Sequence, residues 1–447
     1  MTILRSRRLE LLLGTEISNR DLAWEHLERL RDAQVAEAAD LDYKVSYGTQ
    51  RSDRHKPGSD VAAMANTQGG LIIVGADEKD TQLTSLPGID LSEREHTRLL
   101  SLIGDHVHPY TEFEIIPVPN PHQDGRGCYV IAIPRSPRFP HGVLINEAYR
   151  WPRRVGHRTF HMSEAELASA YRIRFAREKD QASRADTIER TAQQRLFGDR
   201  DGAWILVSLV PDLPGDMVVN WDTFTAFSLA HERTDPVLLS NGSNAWKRIM
   251  PGPRCLLLDR TVQVELGEMA EGVAAELHTD GAGVFALWVP DLNRELRGET
   301  GRDLPCRIAE LWLMVTVLSG LRFLAEYARD YAYAGGDALI RAAICNSFQG
   351  RRVELSTDGA MGPSRLGTLT RAVPIPIAER AAPLDGLASD GPPLISAAAY
   401  LVGDLMRTFG HPDVLHITTE GQIATTRWWG HADAIKQWAI ESGVETL

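Results

Sequence analysis

The stretch SDVAAMANTQGGLIIVGAD, residues 59–77, changes its periodicity halfway along. Ser59 or Asp60 suits the cap of a short helix, and Gly69 and Gly70 end it. Residues 71–74 are apolar on both faces of a two-residue alternation, the mark of an interior strand, with Asp77 emerging at the strand's exit. A helix that turns tightly through two glycines into a buried strand places this segment in the middle of an α+β sheet domain.

Upstream lies EAADLDYKVSYG, residues 37–48, in which Glu37, Asp40 and Asp42 put three carboxylates in six residues just before Lys44. Leu41 and Tyr43 fall on one face of a strand period, and Asp42 and Lys44 on the other. That charged face is either solvent-side decoration or the floor of a site. Helices are expected over 3–13 and 19–34, the second carrying Ala23, Trp24, Leu27 and Leu30 at helical spacing. Beyond Asp77 the pattern predicts a helix at 91–104 and strands at 113–119, 128–134 and 142–152. A closing helix follows, with Ser163 and Glu166 spaced as a capping box.

Four segments are expected: a domain over 1–180, a linker helix over 181–200, an α+β domain of unknown role over 201–378, and a helix–hairpin–helix segment over 379–447. In the third, WILVSLVPD, RCLLLDR, TVQVELGE and GVFALWVPD are strand-like, Asp280 and Gly281 signal a hairpin, and the apolar run 306–328 reads as a core helix. No apolar run reaches the roughly 18 residues of a membrane-spanning helix. Cys128, Cys255, Cys306 and Cys345 lie far apart, without zinc spacing or disulfide density, so a reduced, cytoplasmic protein is expected.

The formal charge of −12 argues against nucleic acid, but its distribution does not. Residues 1–180 carry 24 basic and 26 acidic side chains, and within them 126–179 hold 11 basic against 4 acidic. Arg150, Arg153, Arg154 and Arg158, set among Trp151, Phe160 and two glycines, read as phosphate contacts rather than a solvated rim. His106, His108, His157 and His161 lack a third partner at metal spacing and read as surface or core histidines.

Taken together, Glu37, Asp42, Tyr43, Lys44, the ANTQGG of 65–70 and the GAD of 75–77 resemble the Schlafen-type AlbA-like domain. The later YRWPRRVGHRTFHMSEAEL is similar to that family's closing element, giving coverage of about residues 20–180. The resemblance implies a mixed sheet with flanking helices and nucleic-acid binding. It further implies a carboxylate triad of Glu37, Asp42 and Asp77 around Mg²⁺ or Mn²⁺, with Lys44 neutralising phosphate, for endoribonuclease chemistry on structured RNA. Asp42 stands where the family usually has Glu, one methylene longer, so Mn²⁺ with its looser oxygen geometry is expected to serve better than Mg²⁺. Asn66 and Thr67 could offer hydrogen bonds to the ligand.

The chain has one ANTQGG and no second copy, whereas animal relatives join two such lobes, so a homodimer is expected. RNA is favoured over DNA. Neither a phosphate loop for ATP, a nucleophile elbow nor a dinucleotide fingerprint occurs. Two other readings stay open: a non-enzymatic DNA-binding regulator, and an interaction or sensor protein whose N-terminal domain is inert.

Overall fold

The computed structural model describes residues 4–17, 21–48, 50–146, 148–196, 202–232, 234–238, 246–261, 272–290, 305–346, 353–356, 377–428 and 431–447. They divide into two units, Met1–Glu178 and Lys179–Leu447.

The first unit opens with helices α1 (Arg7–Leu13) and α2 (Trp24–Asp32), strand β1 (Leu41–Lys44), helix α3 (Lys56–Ala65) and strand β2 (Gly69–Val74). A small hairpin, β3 (Asp77–Lys79) and β4 (Gln82–Ser85), precedes β5 (Ile89–Asp90), helix α4 (Glu93–Gly104) and β6 (Val107–His108). Then come β7 (Glu114–Pro119), β8 (Arg126–Pro134), β9 (Gly142–Ile145), β10 (Ala148–Arg150), β11 (Pro152–Val155), β12 (Arg158–His161) and helix α5 (Glu164–Leu196), whose residues after 178 belong to the second unit. The main sheet is mixed: β1 runs parallel to β2, while β2, β5 and β7 each pair antiparallel with β8.

Alternation within the strands builds two cores. Leu41, Tyr43, Leu71, Ile73, Val130 and Ala132 pack with Leu9, Leu13, Leu27 and Leu30 of α1 and α2. Ile72, Val74, Tyr129, Ile131 and Ile133 pack with Val61, Met64, Leu99 and Ile103 of α3 and α4. Hence β2 is buried along its whole length, as its two-sided apolar run predicts.

Some boundaries move. The second helix begins at Trp24 rather than 19. Helix α3 starts at Lys56 with Pro57 in its first turn, so Ser59 and Asp60 lie inside the helix and cap nothing. The expected strand 142–152 is instead β9, β10 and the start of β11. The capping box at Ser163 is present: the Ser163 N–H donates to Glu166 Oε2 at 2.9 Å and the Glu166 N–H to Ser163 Oγ at 3.4 Å. From there α5 continues for 33 residues, where a separate linker helix over 181–200 was expected.

The second unit is built on a seven-stranded antiparallel sheet, in the order Arg248–Gly252, Cys255–Thr261, Gly272–His278, Gly283–Pro290, Gly202–Leu213, Gly335–Asn346 and Ile377–Pro383, beside which Cys306–Ala309 and Val353–Ser356 form a parallel pair. The Asp280–Gly281 hairpin joins its third and fourth strands. Ala185, Ile188 and Ala192 of α5 pack against one face with Trp204, Leu206 and Trp288. Helices Glu310–Glu326 and Pro392–Thr408 cover the other. The helical stretch Glu310–Tyr331 is apolar and long enough to cross a membrane, but 78% of its apolar window is buried in this unit, as expected of a core helix. Everything beyond residue 178 belongs to one unit, including 379–447. The strand expected at TVQVELGE lies almost wholly outside the described residues.

Candidate functional site

The charged face of β1 is neither solvent-side nor bare. Asp42 is 2% exposed, and its Oδ2 meets the Lys44 Nζ at 2.5 Å and the Arg154 Nη1 at 3.5 Å. Glu37, in the half-buried segment before β1, accepts the Tyr43 N–H at 3.0 Å through Oε1 and hydrogen-bonds Asp42 through its carboxyl. Asp40 pairs with Arg8 of α1. On the α3 side, Asp60 accepts the Tyr47 hydroxyl at 3.0 Å.

Electrostatics follow from this packing. Burial pushes the Glu37 carboxyl up to about 7, and its hydrogen bond to Asp42 works in the same direction. Burial would raise Asp42 too, but the bond from Glu37 and the charges of Lys44 and Arg154 outweigh it and hold Asp42 below its usual value. Of the two, Glu37 is therefore the carboxyl that takes up a proton more readily. Asp60 is raised to about 6, first by burial and then by the neighbouring Asp42 charge, with Lys44 opposing. For Lys44 burial favours the neutral amine, yet Asp42 and Asp60 keep it an ammonium, raised above its ordinary value.

Asp77 stands apart from this group. The Gly75 and Ala76 N–H groups both donate to the Lys44 carbonyl, so the chain passes the end of β1 before Asp77, which is exposed on β3 opposite Ser85. Asp42, in contrast, sits opposite Ile72. The three acids expected around Mg²⁺ or Mn²⁺ thus divide into a pair and an outlier. Among the described residues no three His, Cys, Asp or Glu side chains stand where they could hold a metal ion. The charge on Asp42 is met by Lys44 and Arg154, which fits a divalent ion poorly.

The arginines separate by strand alternation. In the β11–β12 hairpin Arg153 lies opposite Phe160 and Val155 opposite Arg158, four residues on one face, while Arg154 lies opposite Thr159 on the other. Arg154 is 4% exposed; besides Asp42 it donates through Nη2 to the Ala38 carbonyl at 2.9 Å. It is therefore an internal strut and not a surface phosphate contact, which corrects the reading of the four arginines as one patch. Arg153 pairs with Glu166 at 2.6 Å, and Arg150 and Arg158 are exposed.

Asn66 and Thr67 turn their hydrogen-bonding groups to the protein's own backbone. The Asn66 amide donates to the His141 and Pro152 carbonyls at 2.9 and 2.8 Å and accepts the His141 N–H at 2.7 Å. The Thr67 hydroxyl accepts the Arg154 N–H at 2.9 Å and donates to the Ala63 carbonyl at 2.8 Å. ANTQGG thus ties the base of β9–β10 to the base of β11–β12. Tyr149 and Phe160 are 44% and 48% exposed; Phe160 shares its face with Arg153 and Arg158, while Tyr149 and Arg150 leave β10 on opposite faces. Tyr149 is braced edge-on by His108 and lies beside Trp151. Asp60 and Tyr47 escaped the sequence reading; the available signal was Pro57, which marks an earlier helix start and so puts Asp60 one turn inside.

Residues 37–163 match the family model described as Schlafen, AlbA_2. The N-terminal part of the chain thus carries a Schlafen AlbA_2 domain, a class that suggests nucleic-acid binding; residues beyond 163 lie outside that match. Among solved structures, the DIP2311 protein from Corynebacterium diphtheriae is similar at 18% identity over 37% of this chain, with a TM-score of 0.23, and the match spans 27% of that protein's length. No curated protein matches the sequence.

Proposed function

We propose that the N-terminal unit binds RNA, through phosphates and unpaired bases, on the outward face of the two hairpins that Asn66 ties together. The observation that carries this reading is an exposed aromatic set among arginines on one strand face: Phe160 shares a face of β11–β12 with Arg158 and Arg153, and Tyr149 adds a second exposed aromatic on β10. Arginine supplies the sequence-independent phosphate contact, while an aromatic face accepts an unstacked base, which single-stranded or looped RNA offers more readily than duplex DNA.

The test is fluorescence anisotropy with the full chain and a labelled single-stranded RNA across a salt series. Arg158→Ala should weaken binding to all sequences about equally and flatten the salt slope by about 1. Phe160→Ala should cost about 1–3 kcal/mol of binding with little change in that slope. Unchanged affinity in both variants would remove this face from the proposal, and equal affinity for DNA of the same sequence would favour the regulator.

A second reading, cutting of the bound RNA, is favoured by Glu37 standing half-buried against Asp42 beside the Lys44 ammonium. Gel analysis of transfer RNA incubated with the full chain in Mg²⁺, Mn²⁺ or chelator tests it, with Asp42→Asn as the control that should lose any cleavage. The binding assembly is proposed to be a homodimer, the second chain supplying the lobe that one ANTQGG lacks. Light scattering should report twice the chain mass at micromolar concentration; the mass of one chain, with and without RNA, would end that part.

A further inference from the structure

We infer that the acidic cluster at β1 is completed by the protein's own cations, Lys44 and Arg154, and that Lys44 presents its ammonium to an RNA phosphate without a bridging divalent ion. This rests on the RNA-binding reading; a phosphate contact for Lys44 is what the family resemblance implies, and the new element is that no divalent ion mediates it.

A divalent ion bound by carboxylates needs several hard oxygens turned toward one empty position. Here the oxygens are turned elsewhere. Asp42 Oδ2 faces Lys44 Nζ at 2.5 Å on one side and Arg154 Nη1 at 3.5 Å on the other. Glu37 gives one oxygen to the Tyr43 N–H and is hydrogen-bonded to Asp42, Asp60 is held by the Tyr47 hydroxyl, and Asp77 is exposed beyond the end of β1. Placing a divalent ion on Asp42 would bring it against two positive charges, the buried Arg154 and the partly exposed Lys44, and repulsion from the buried one is screened least.

The two cations differ in what they leave free. Arg154 is 2% exposed at its side chain and is committed to Asp42 and the Ala38 carbonyl. Lys44 is 31% exposed and holds Asp42 and, at 3.3 Å, the Tyr43 carbonyl. An ammonium has three donors, so Lys44 keeps one for a ligand. Anchored on a buried carboxylate, it is oriented before a phosphate arrives, so less side-chain freedom is lost on binding.

The experiment uses the full chain and an unstructured oligoribonucleotide, whose own folding takes no metal. Anisotropy should give the same affinity in chelator and in Mg²⁺. Lys44→Met should weaken binding about tenfold and flatten the salt slope by about 1, and Lys44→Arg should recover most of that loss. Electron paramagnetic resonance of added Mn²⁺ should show the free-ion signal undiminished by the protein alone. Mn²⁺ capture that disappears in Asp42→Asn, or RNA binding that requires Mg²⁺, would overturn the inference while leaving RNA binding in place. So would an unchanged affinity in Lys44→Met whose melting temperature matches the parent. A chain that binds no RNA under any condition would overturn the proposed function itself, and this subsite with it.

Discussion

Replacing Arg154 with alanine should destabilise the N-terminal unit by about 3 kcal/mol, more than the loss of any exposed arginine of the same hairpin. The reason is the position of its charge. Arg154 is 4% exposed and holds the buried Asp42 at 3.5 Å and the Ala38 carbonyl at 2.9 Å, so its removal strips a buried carboxylate of one of two cations and leaves that carbonyl without this donor. Arg158, which is exposed, should cost less than about 0.5 kcal/mol when truncated. The two variants should therefore separate: Arg158→Ala keeps its stability and loses RNA affinity, whereas Arg154→Ala loses stability first. Hydrogen exchange over 37–45 and 152–161 is the suitable readout, because a chain of two units need not unfold in one step. Asp42→Asn added to Arg154→Ala should recover part of the loss, since a neutral amide is easier to bury unpaired than a carboxylate. Unaltered protection in Arg154→Ala, with a flatter salt slope for RNA, would return this residue to the surface patch.

How much of this was legible in the sequence differs from residue to residue. The central sheet was, because residues 71–74 are apolar on both faces and only an interior strand buries both. The contrast of Arg153 and Arg154 was written there too: strand alternation puts neighbours on opposite faces, and PRRVGHRTF with Gly156 at its turn reads as a hairpin. Grouping the arginines by composition concealed it. The gathering of Asp60 with Asp42 was not legible, since it depends on how α3 packs on the main sheet, a tertiary matter that local spacing does not carry. Nor was the failure of Asp77 to join them. An acid at a strand exit can turn toward or away from the neighbouring acids, and here Asp77 is exposed at the start of the β3–β4 hairpin and does not complete a three-acid group with them. The length of α5 could have been anticipated, because neither Gly nor Pro interrupts 164–196. In the second unit the expected strands were found where residues are described, but Arg248–Gly252, Gly272–His278, Gly335–Asn346, Val353–Ser356 and Ile377–Pro383 were missed, and Cys306–Ala309 is a strand where the core helix was expected to begin.

The glycine pair that opens β2 fixes where the acids stand, and Gly70→Ala should be strongly damaging to this unit, at about 3 kcal/mol or more. Gly70 has φ +151, a region that side-chain-bearing residues rarely enter, and a Cβ there would lie 2.7 Å from the carbonyl carbon and Cα of Asp40 and closer still to its oxygen. Those are backbone atoms, and they cannot swing aside as a flexible side chain would. The Leu71 N–H donates to that same Asp40 carbonyl at 2.9 Å, so relieving the clash means parting β1 from β2 at the point where Glu37, Asp42 and Lys44 are set in register. Gly156 is the matched control. Its φ of +59 carries the same kind of penalty, but nothing lies within 4 Å of a Cβ added there, so Gly156→Ala should cost only about 1 kcal/mol. Both can be read from denaturant unfolding of the full chain followed by exchange protection in β2, which reports this unit alone. The expected order is Gly70→Ala far below Gly156→Ala, with loss of RNA binding following loss of protection in the first and not in the second. If Gly70→Ala unfolds within about 1 kcal/mol of the parent, the close approach of β2 to Asp40 does not hold the site together.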